Sequence, residues 1–413
     1  MKKRIVFVNL HSDWMLVKTA SVYLFKYSAA IKHKYLIEYL LNNKDYELCN
    51  FINDRGFSPL RNDNELLMRF LNKFRFIENK ITMKINKIDK KNVTVLRNVD
   101  EIKSSDIVIL YNICYDNYRM MNKIEAFKCL SFLHFHGMKN EEDMIKKAGI
   151  NCFFCESNMS KNSKIFKKYY HFNLPWVIHP FVYAERFKNL KPFRERNNMA
   201  FATGTITYKV HKEFLETYGD SCDQPMRKKI KDNPEFFKNL IFCTSSDYLE
   251  DNPGKKINET DNVIVKVYKK IYNRFKVGQQ KKYFSFDMVE AFNNYKMCIV
   301  GEEILGVPGI GFVEGMACGC AYIGLDSPMY TDLGLIPGVH YITYDGTMEN
   351  LKKVIEYYQA DEHQEELENI ANAGCKFVRE NFNGQKVAKK LIDDLVEQQE
   401  IWLKNNHKRE GEI

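Results

Sequence analysis

The sequence predicts an α/β protein of two domains, each built on a parallel sheet that helices cover. Three observations lead to this class. The chain has 413 residues, which is more than one typical domain holds. Short apolar segments alternate with amphipathic helical patterns, as in a sheet of parallel strands joined by helices. A polar, charged segment with one proline, residues 188–198, separates two such series.

Each series supplies the strands of one doubly wound, Rossmann-like domain. The first series predicts strands at 5–10, 46–53, 107–111, 130–136, 152–156 and 176–180, with helices such as 31–41 and 141–148 between them. The second series predicts strands at 199–203, 239–244, 297–301, 321–324 and 340–343, with a helix at 348–358. We therefore place an N-terminal domain at 1–190 and a second domain from 191 to 385. Open α/β sheets bind ligands at the carboxyl ends of their strands, so two facing sheets would form a central cleft.

Composition limits the cellular setting and the partners. The eleven cysteines follow no secretory leader, which favours a reducing, cytoplasmic compartment. The pairs Cys152/Cys155 and Cys318/Cys320 lack the second ligand pair of a structural zinc site, so we expect them to pack in the interior. No apolar run reaches the ~20 residues that span a bilayer. The net charge of +9 predicts attraction to anionic surfaces or substrates.

The segment 301–324, GEEILGVPGIGFVEGMACGCAYIG, holds the densest group of candidate site residues. A strand ends at Gly301, a loop with Gly306, Gly309 and Gly311 follows, and a helix begins near Phe312. Main-chain amides at such a helix start can bind phosphate, and Glu314 in the first turn can accept hydrogen bonds from both hydroxyls of a ribose. The alternative is a plain glycine-rich turn in which Glu314 only complements the helix dipole.

This segment resembles the donor-binding motif of GT-B glycosyltransferases of the group 1 kind, which read roughly F-V-E-A-M-A-C-G-C-P-V-I. The matching positions are Phe312, Val313, Glu314, Met316, Ala317, Cys318, Gly319, Cys320 and Ile323. The resemblance implies that Glu314 binds the nucleotide ribose and that Gly309, Ile310 and Gly311 face the sugar and the diphosphate. It also implies that the C-terminal helix, 386–413, packs back on the N-terminal domain.

One departure concerns the second Glu that the family usually carries eight residues before the helix Glu. Gly306 stands at that position, and we assign Glu303, which with Glu302 lies just upstream, to the catalytic group.

Residues 201–212, FATGTITYKVHK, resemble the first strand and loop of the second domain, where an Arg after the Gly and a Lys clamp the diphosphate. There Gly204 and Thr205 are assigned to the donor site, with Thr205 replacing the Arg. Lys209 is the basic candidate, and a solvated loop lysine is the alternative.

In the first domain, residues 132–137, FLHFHG, place two histidines at a strand end. Family members often carry there a His that contacts the transferred sugar, so the resemblance implies a catalytic role for His136, with His134 as the alternative. Asp13 follows the first strand, on the side where this fold presents acceptor loops. A turn-forming Asp is the alternative there.

No D-x-D pair ends a predicted strand, so we expect no metal ligand set, a metal-independent transfer, and no cofactor other than the nucleotide-sugar substrate. A nicotinamide or flavin enzyme would need a G-x-G-x-x-G after the first strand, which is absent. A nucleic-acid-binding module is also absent. The remaining alternatives are a sugar-nucleotide epimerase of the same fold and a catalytically inactive glycan-binding relative.

The resemblance further implies hexosyl transfer to a glycan or lipid-linked acceptor, with retention of anomeric configuration, in bacterial surface polysaccharide assembly. A basic stretch at 66–92 combines helical apolar spacing with Lys80, Lys84 and Lys87. We expect it to contact an anionic membrane surface peripherally, at the inner face, or an anionic lipid-linked acceptor. The alternative is a core-facing helix with a solvated basic back.

Overall fold

The computed structural model describes residues 2–8, 33–52, 79–80, 83–84, 86–111, 121–132, 141–247, 255, 258, 261–272 and 287–410. The chain forms two compact units. The first unit comprises Met1–Asn158, Lys168–His179 and Gly384–Ile413, and the second comprises Met159–Lys167 and Pro180–Asn383. The chain therefore enters the second unit briefly, at 159–167, before it enters that unit for its longest segment.

The first unit is built on a seven-stranded parallel sheet. Its strands are β1 (Lys3–Val8), β2 (Tyr46–Phe51), β3 (Thr94–Leu96), β4 (Ile107–Leu110), β5 (Phe127–Ser131), β6 (Cys152–Cys155) and β7 (Trp176–Ile178). They lie in the order β3-β2-β1-β4-β5-β6-β7, and every described pairing is parallel. All four residues of β4 and of β6 are buried, because helices cover both faces of such a sheet.

Helices are numbered along the whole chain, and those of the first unit include α1 (Lys34–Asn42), α2 (Glu141–Ala148) and α13 (Gly384–Glu410). The C-terminal helix α13 completes the core of this unit. Its apolar side chains Leu391, Ile392 and Leu395 are buried with α1 against the sheet. Further along α13, the amide of Gln399 donates to the carbonyls of Ser105 (3.1 Å) and Asp106 (3.0 Å).

Strand β5 begins three residues earlier than the pattern predicts. We expected it at 130–136, and β5 is Phe127–Ser131. The apolar pattern is interrupted by Lys128, yet this side chain is only 5% exposed. Its ammonium donates to the carbonyls of Met121 (3.0 Å) and Ile124 (2.7 Å), and burial lowers its pKa to about 8. A lysine whose charge is solvated by main-chain carbonyls can therefore occupy a buried strand.

The second unit is built on a five-stranded parallel sheet. Its strands are β8 (Asn197–Ala202), β10 (Ile241–Cys243), β12 (Tyr295–Ile299), β13 (Ala321–Leu325) and β14 (Ile342–Tyr344), in the order β10-β8-β12-β13-β14. A separate parallel pair is formed by β9 (Thr205–Ile206) and β11 (Ser246–Asp247).

The helices assigned wholly or mainly to this unit are α3 (Met159–Asn162), α4 (Lys164–Tyr169), α5 (Lys212–Tyr218), α6 (Pro225–Asp232), α7 (Val263–Tyr272), α8 (Met288–Asn294), α9 (Gly311–Ala317), α10 (Pro328–Thr331), α11 (Met348–Gln359) and α12 (Gln364–Asn381). Short 3₁₀ turns occur at Lys90–Asn92, Val99–Glu101, Phe193–Glu195 and Asp361–His363. The predicted α/β class with two parallel-sheet units is confirmed. Within the described part of the chain, every helix is too short or too polar to span a bilayer.

The basic stretch at 66–92 is described only in part. In that part Met83 and Ile88 are buried in the core of the first unit. Lys80, Lys84 and Lys87 are exposed. These apolar side chains therefore face the protein interior, and the lysines form a solvated basic surface.

The short helix α3 packs on the loop that follows β12. The backbone of Gly306 has a φ of +86°, a conformation that favours glycine. A Cβ atom on Gly306 would lie 2.3 Å from the carbonyl oxygen of Asn162, at the end of α3. Nearby, Lys161 of α3 pairs with Asp332 at 3.5 Å. Position 306 therefore has no room for any side chain, which explains why it differs from the family motif.

We expect Gly306→Ala to destabilise the second unit more than Gly338→Ala does. Gly338 is the matched control because its φ is also positive (+73°) but no atom lies within 4 Å of its Cβ position. Both variants incur the left-handed backbone cost of roughly 1–2 kcal/mol. Only Gly306→Ala adds overpacking against Asn162, typically a further ~1–3 kcal/mol. Urea unfolding should therefore give a lower midpoint for Gly306→Ala, and equal midpoints would contradict the packing of α3 on this loop.

Candidate functional site

Helix α9, which carries Glu314, packs closely against the end of β12. Two glycines allow this close packing: a Cβ on Gly311 would lie 2.9 Å from a methyl of Val300, and a Cβ on Gly315 would lie 2.5 Å from the sulfur of Cys298. In α9 every residue except Glu314 is buried. The small residues that the sequence places in this helix therefore fix the position of one carboxylate at the carboxyl edge of the sheet.

Glu314 is a carboxylate in an unusually dry environment. Burial raises the pKa of its side chain to about 7, and the positive charge of Arg186 opposes the shift. Its carboxylate accepts no hydrogen bond from the described residues. At neutral pH the group is therefore divided between its charged and neutral forms, and hydroxyl donors of a ligand would favour the charged form.

The C-terminal end of α9 is held by two arginines. Arg196 donates to the carbonyl of Cys318 at 2.8 Å, and Arg379 donates to the carbonyl of Ala317. Positive charge at this end of a helix is favourable to the helix dipole. Arg379 also donates to the carbonyl of Phe187 at 3.1 Å, so the segment before β8 is attached to the helix that carries Glu314.

Sequence reasoning missed Arg227 on α6, which lies among the glycines assigned to the donor site. Its Nη1 donates to the carbonyl of Thr205 at 2.8 Å, and its Nε donates to the carbonyls of Val300 and Gly301. The sequence contains no signal for Arg227. The residues that its side chain contacts lie 22 to 74 residues away along the chain, so no local pattern marks it.

Arg227 explains why two of the predicted donor-site residues are glycines. A Cβ on Gly204 would lie 2.8 Å from the guanidinium carbon of Arg227, and a Cβ on Gly309 would lie 2.6 Å from its Nη2. The resemblance assigned both glycines to the donor site. In the structure they leave space for a guanidinium at the carboxyl ends of β8 and β12.

The other donor-site candidates, and the catalytic candidate Glu303, lie in the same unit. Lys209 pairs through its Nζ with the carboxylate of Asp223 at 3.2 Å. Glu303 forms a tight turn, in which its amide donates to the carbonyl of Val307 at 3.0 Å. Among the carboxylates near Arg227, the negative charge of Glu303 does most to favour the charged form of the Arg227 guanidinium. Ile310 is 44% exposed at the tip of the glycine loop. The structure thus brings all of these residues to the strand ends of one sheet.

Glu302 anchors that edge of the sheet from inside. Its carboxylate is 5% exposed and accepts hydrogen bonds from the hydroxyl of Tyr330 (2.8 Å) and the amide of Leu325 (2.9 Å). It also accepts from the hydroxyl of Tyr344 at 3.3 Å. Burial, together with this carboxylate, raises the pKa of Tyr330 well above its ordinary value. Glu302 therefore links the ends of β12, β13 and β14, and its oxygens are already occupied.

His136, its alternative His134, and Asp13 lie outside the described residues. Their predicted roles stay predictions.

The second unit also carries the match to a known family. Residues 231–393 match a family model described as glycosyl transferase-like, and this range includes Glu303, the glycine loop and Glu314. No curated protein is a significant match to the chain.

Solved structures of similar fold cover nearly the whole chain. A glycosyltransferase from Rickettsia africae ESF-5 is 14% identical, with a TM-score of 0.51, over 96% of this chain and 98% of its own. The N-terminal domain of Candida albicans trehalose-6-phosphate phosphatase is 9% identical, with a TM-score of 0.50, over 96% and 97% of the two chains. HepE of Anabaena in complex with UDP is 10% identical, with a TM-score of 0.48, over 96% and 100%. For the first two structures, the likeness at these identities shows the fold alone.

The predicted fold, that of the GT-B glycosyltransferases, is confirmed by the first of these structures. The resemblance of residues 301–324 falls inside the range that the family model matches. Residues 231–393 are accordingly similar to the glycosyl transferase-like family.

Proposed function

We propose that this glycosyltransferase takes its sugar from a nucleotide-sugar donor bound at the carboxyl edge of the second sheet. The observation that carries this proposal is the state of Glu314. A largely buried carboxylate with a raised pKa, without a hydrogen-bond donor among the described residues, is costly to the fold. A ribose whose two hydroxyls both donate to that carboxylate would offset this cost.

The loop before α9 supports the same proposal. The main-chain N–H groups of Gly309, Ile310 and Gly311 have no acceptor among the described residues. Consecutive free amides of this kind bind phosphate oxygens. Ribose at Glu314 and diphosphate at these amides would place the sugar on the side of Glu303. The leaving diphosphate would then be stabilised by amides and side chains, in a metal-independent transfer without a cofactor.

The finer features of the reaction are proposed from the motif. We propose hexosyl transfer to a glycan or lipid-linked acceptor, with retention of configuration, in bacterial surface polysaccharide assembly at the inner face of the membrane. His136 would contact the transferred sugar, and Asp13 would lie on the acceptor side. These two residues await a test by substitution.

The donor-site assignment predicts that Glu314→Gln loses nucleotide affinity. UDP, GDP, ADP and CDP are first compared by the rise that each causes in the Tm of the wild-type protein. The one that raises the Tm most is the matching nucleoside diphosphate. Charge-assisted hydrogen bonds contribute roughly 1.5–3 kcal/mol each, so calorimetry should show an at least tenfold weaker Kd for Glu314→Gln. Glu290→Gln is the control, because Glu290 is also in a first helical turn but is exposed. Wild-type affinity in folded Glu314→Gln would refute the assignment.

The affinity for the matching nucleoside should also depend on pH. The nucleoside carries no phosphate that titrates, so its binding reports on the protein. Because the pKa of Glu314 is about 7 and the charged form is the acceptor, affinity should rise about tenfold from pH 6 to pH 8. In Glu314→Gln the affinity should no longer rise with pH. If the rise persists in this variant, another titrating group causes it.

The same carboxylate should reduce stability at high pH. Its pKa is about 7 in the folded protein and ordinarily 4.5, so between these pH values the folded state keeps a proton that the unfolded state releases. Stability therefore falls as pH rises from about 4.5 to about 7, by roughly 1.4 kcal/mol per unit of pKa shift. Glu314→Gln should raise the Tm at pH 8 and leave it nearly unchanged at pH 5. An equal change at both pH values would contradict the burial of a titrating carboxylate.

We further propose that the first unit binds anionic membranes through Lys80, Lys84 and Lys87, by charge attraction rather than insertion. Vesicles containing phosphatidylglycerol should float the wild-type protein, and changing the three lysines to Glu should abolish flotation. The matched control changes Lys212, Lys238 and Lys376, which are also exposed, to Glu and should still float. Equal flotation of the two triple variants would show that this surface has no special role.

A further inference from the structure

Arg227 is a cation whose side chain is held in place by neutral groups. Its Nη1 donates to Thr205 at 2.8 Å and its Nε to Gly301 at 3.2 Å, with a further hydrogen bond to the carbonyl of Val300. These carbonyls follow β8 and β12, two adjacent strands of the sheet. The guanidinium is therefore fixed in position and orientation at the edge where open α/β sheets bind ligands.

No carboxylate among the described residues lies within ion-pairing distance of Arg227. Asp223 is engaged by Lys209 at 3.2 Å, and Glu302 accepts from Tyr330 and Leu325. Burial lowers the pKa of Arg227, with Glu303 opposing the shift at longer range. A buried charge is costly unless an opposite charge compensates it. The arrangement therefore favours an anionic ligand.

One nitrogen of the guanidinium is left for that ligand. Nη2 has no hydrogen-bond acceptor among the described residues, and it faces Gly309, whose Cβ would lie 2.6 Å from it. An Nη2 group carries two N–H donors in the fixed plane of the guanidinium, a geometry that suits phosphate oxygens. The Arg227 side chain is only partly buried, so a ligand oxygen can reach Nη2 from the solvent side.

We propose that Arg227 binds the diphosphate of the donor through Nη2. This inference rests on the proposed function and adds a residue to it. Lys209 is the weaker candidate for this role, because Asp223 already neutralises its ammonium. Thr205, where the family motif has an Arg, contributes its main-chain carbonyl to hold the Arg227 side chain. The cation of this site thus comes from helix α6 and not from the loop after β8.

The test compares two ligands in one variant. Calorimetry gives the Kd of the matching nucleoside diphosphate and of the nucleoside alone, and their ratio isolates the diphosphate contribution. In Arg227→Met, which removes the charge at similar length, this ratio should fall at least tenfold while the nucleoside affinity stays within twofold. A purely structural role would weaken both ligands together. An unchanged ratio in folded Arg227→Met would overturn the proposal.

If Arg227→Met does not fold, the same ratio of the two Kd values is measured in Arg227→Lys, which keeps the positive charge. An ammonium cannot satisfy three carbonyls and a phosphate with the geometry of a guanidinium, so the ratio should again fall severalfold. An unchanged ratio in folded Arg227→Lys would likewise overturn the proposal. Arg194→Met removes the same charge from an exposed side chain in the same unit and should leave the ratio unchanged. The two proposals can fail separately. If the wild-type protein binds nucleoside diphosphates and Glu314→Gln does not, an unchanged ratio in the Arg227 variants refutes only the role of Arg227 and leaves the donor site in place.

Discussion

One interaction shapes the glycine-rich loop of the second unit: the Arg227 guanidinium donates hydrogen bonds to main-chain carbonyls that follow the adjacent strands β8 and β12. The carbonyls of Thr205 and Gly301 fix the side chain, and three positions beside it have no side chain of their own. Gly204, Gly301 and Gly309 would each place a Cβ within 2.9 Å of Arg227. The glycine-rich loop is therefore shaped by a guanidinium of the protein as well as by any ligand.

The α/β class and most strands could be predicted from the sequence, because buried parallel strands are continuous apolar runs and the helices between them are amphipathic. Two features escaped prediction for physical reasons. Lys128 lies within a buried strand because main-chain carbonyls solvate its ammonium. Residues 159–167 belong to the second unit although the residues on both sides belong to the first, and no local pattern encodes such long-range packing.

The place of the candidate site residues in the fold could be predicted where the signal was local, and their roles stay predictions. The glycine spacing and the first-turn position of Glu314 are properties of one continuous segment, and the structure places them at a sheet edge. The role of Arg227 could not be predicted, since its partners are distant in sequence. The missing carboxylate at Gly306 also has a distant cause, because the carbonyl of Asn162 occupies the space where a side chain would lie. Such positions are decided by packing between segments.

The central claim is that the carboxyl edge of the second sheet holds the donor nucleotide, with the ribose on Glu314. A crystal structure of the protein with the matching nucleoside diphosphate tests it most directly. The account predicts both ribose hydroxyl oxygens within about 3.2 Å of the Glu314 carboxylate, and the diphosphate beside the glycine loop. A nucleotide bound elsewhere, with no contact to Glu314, would contradict it.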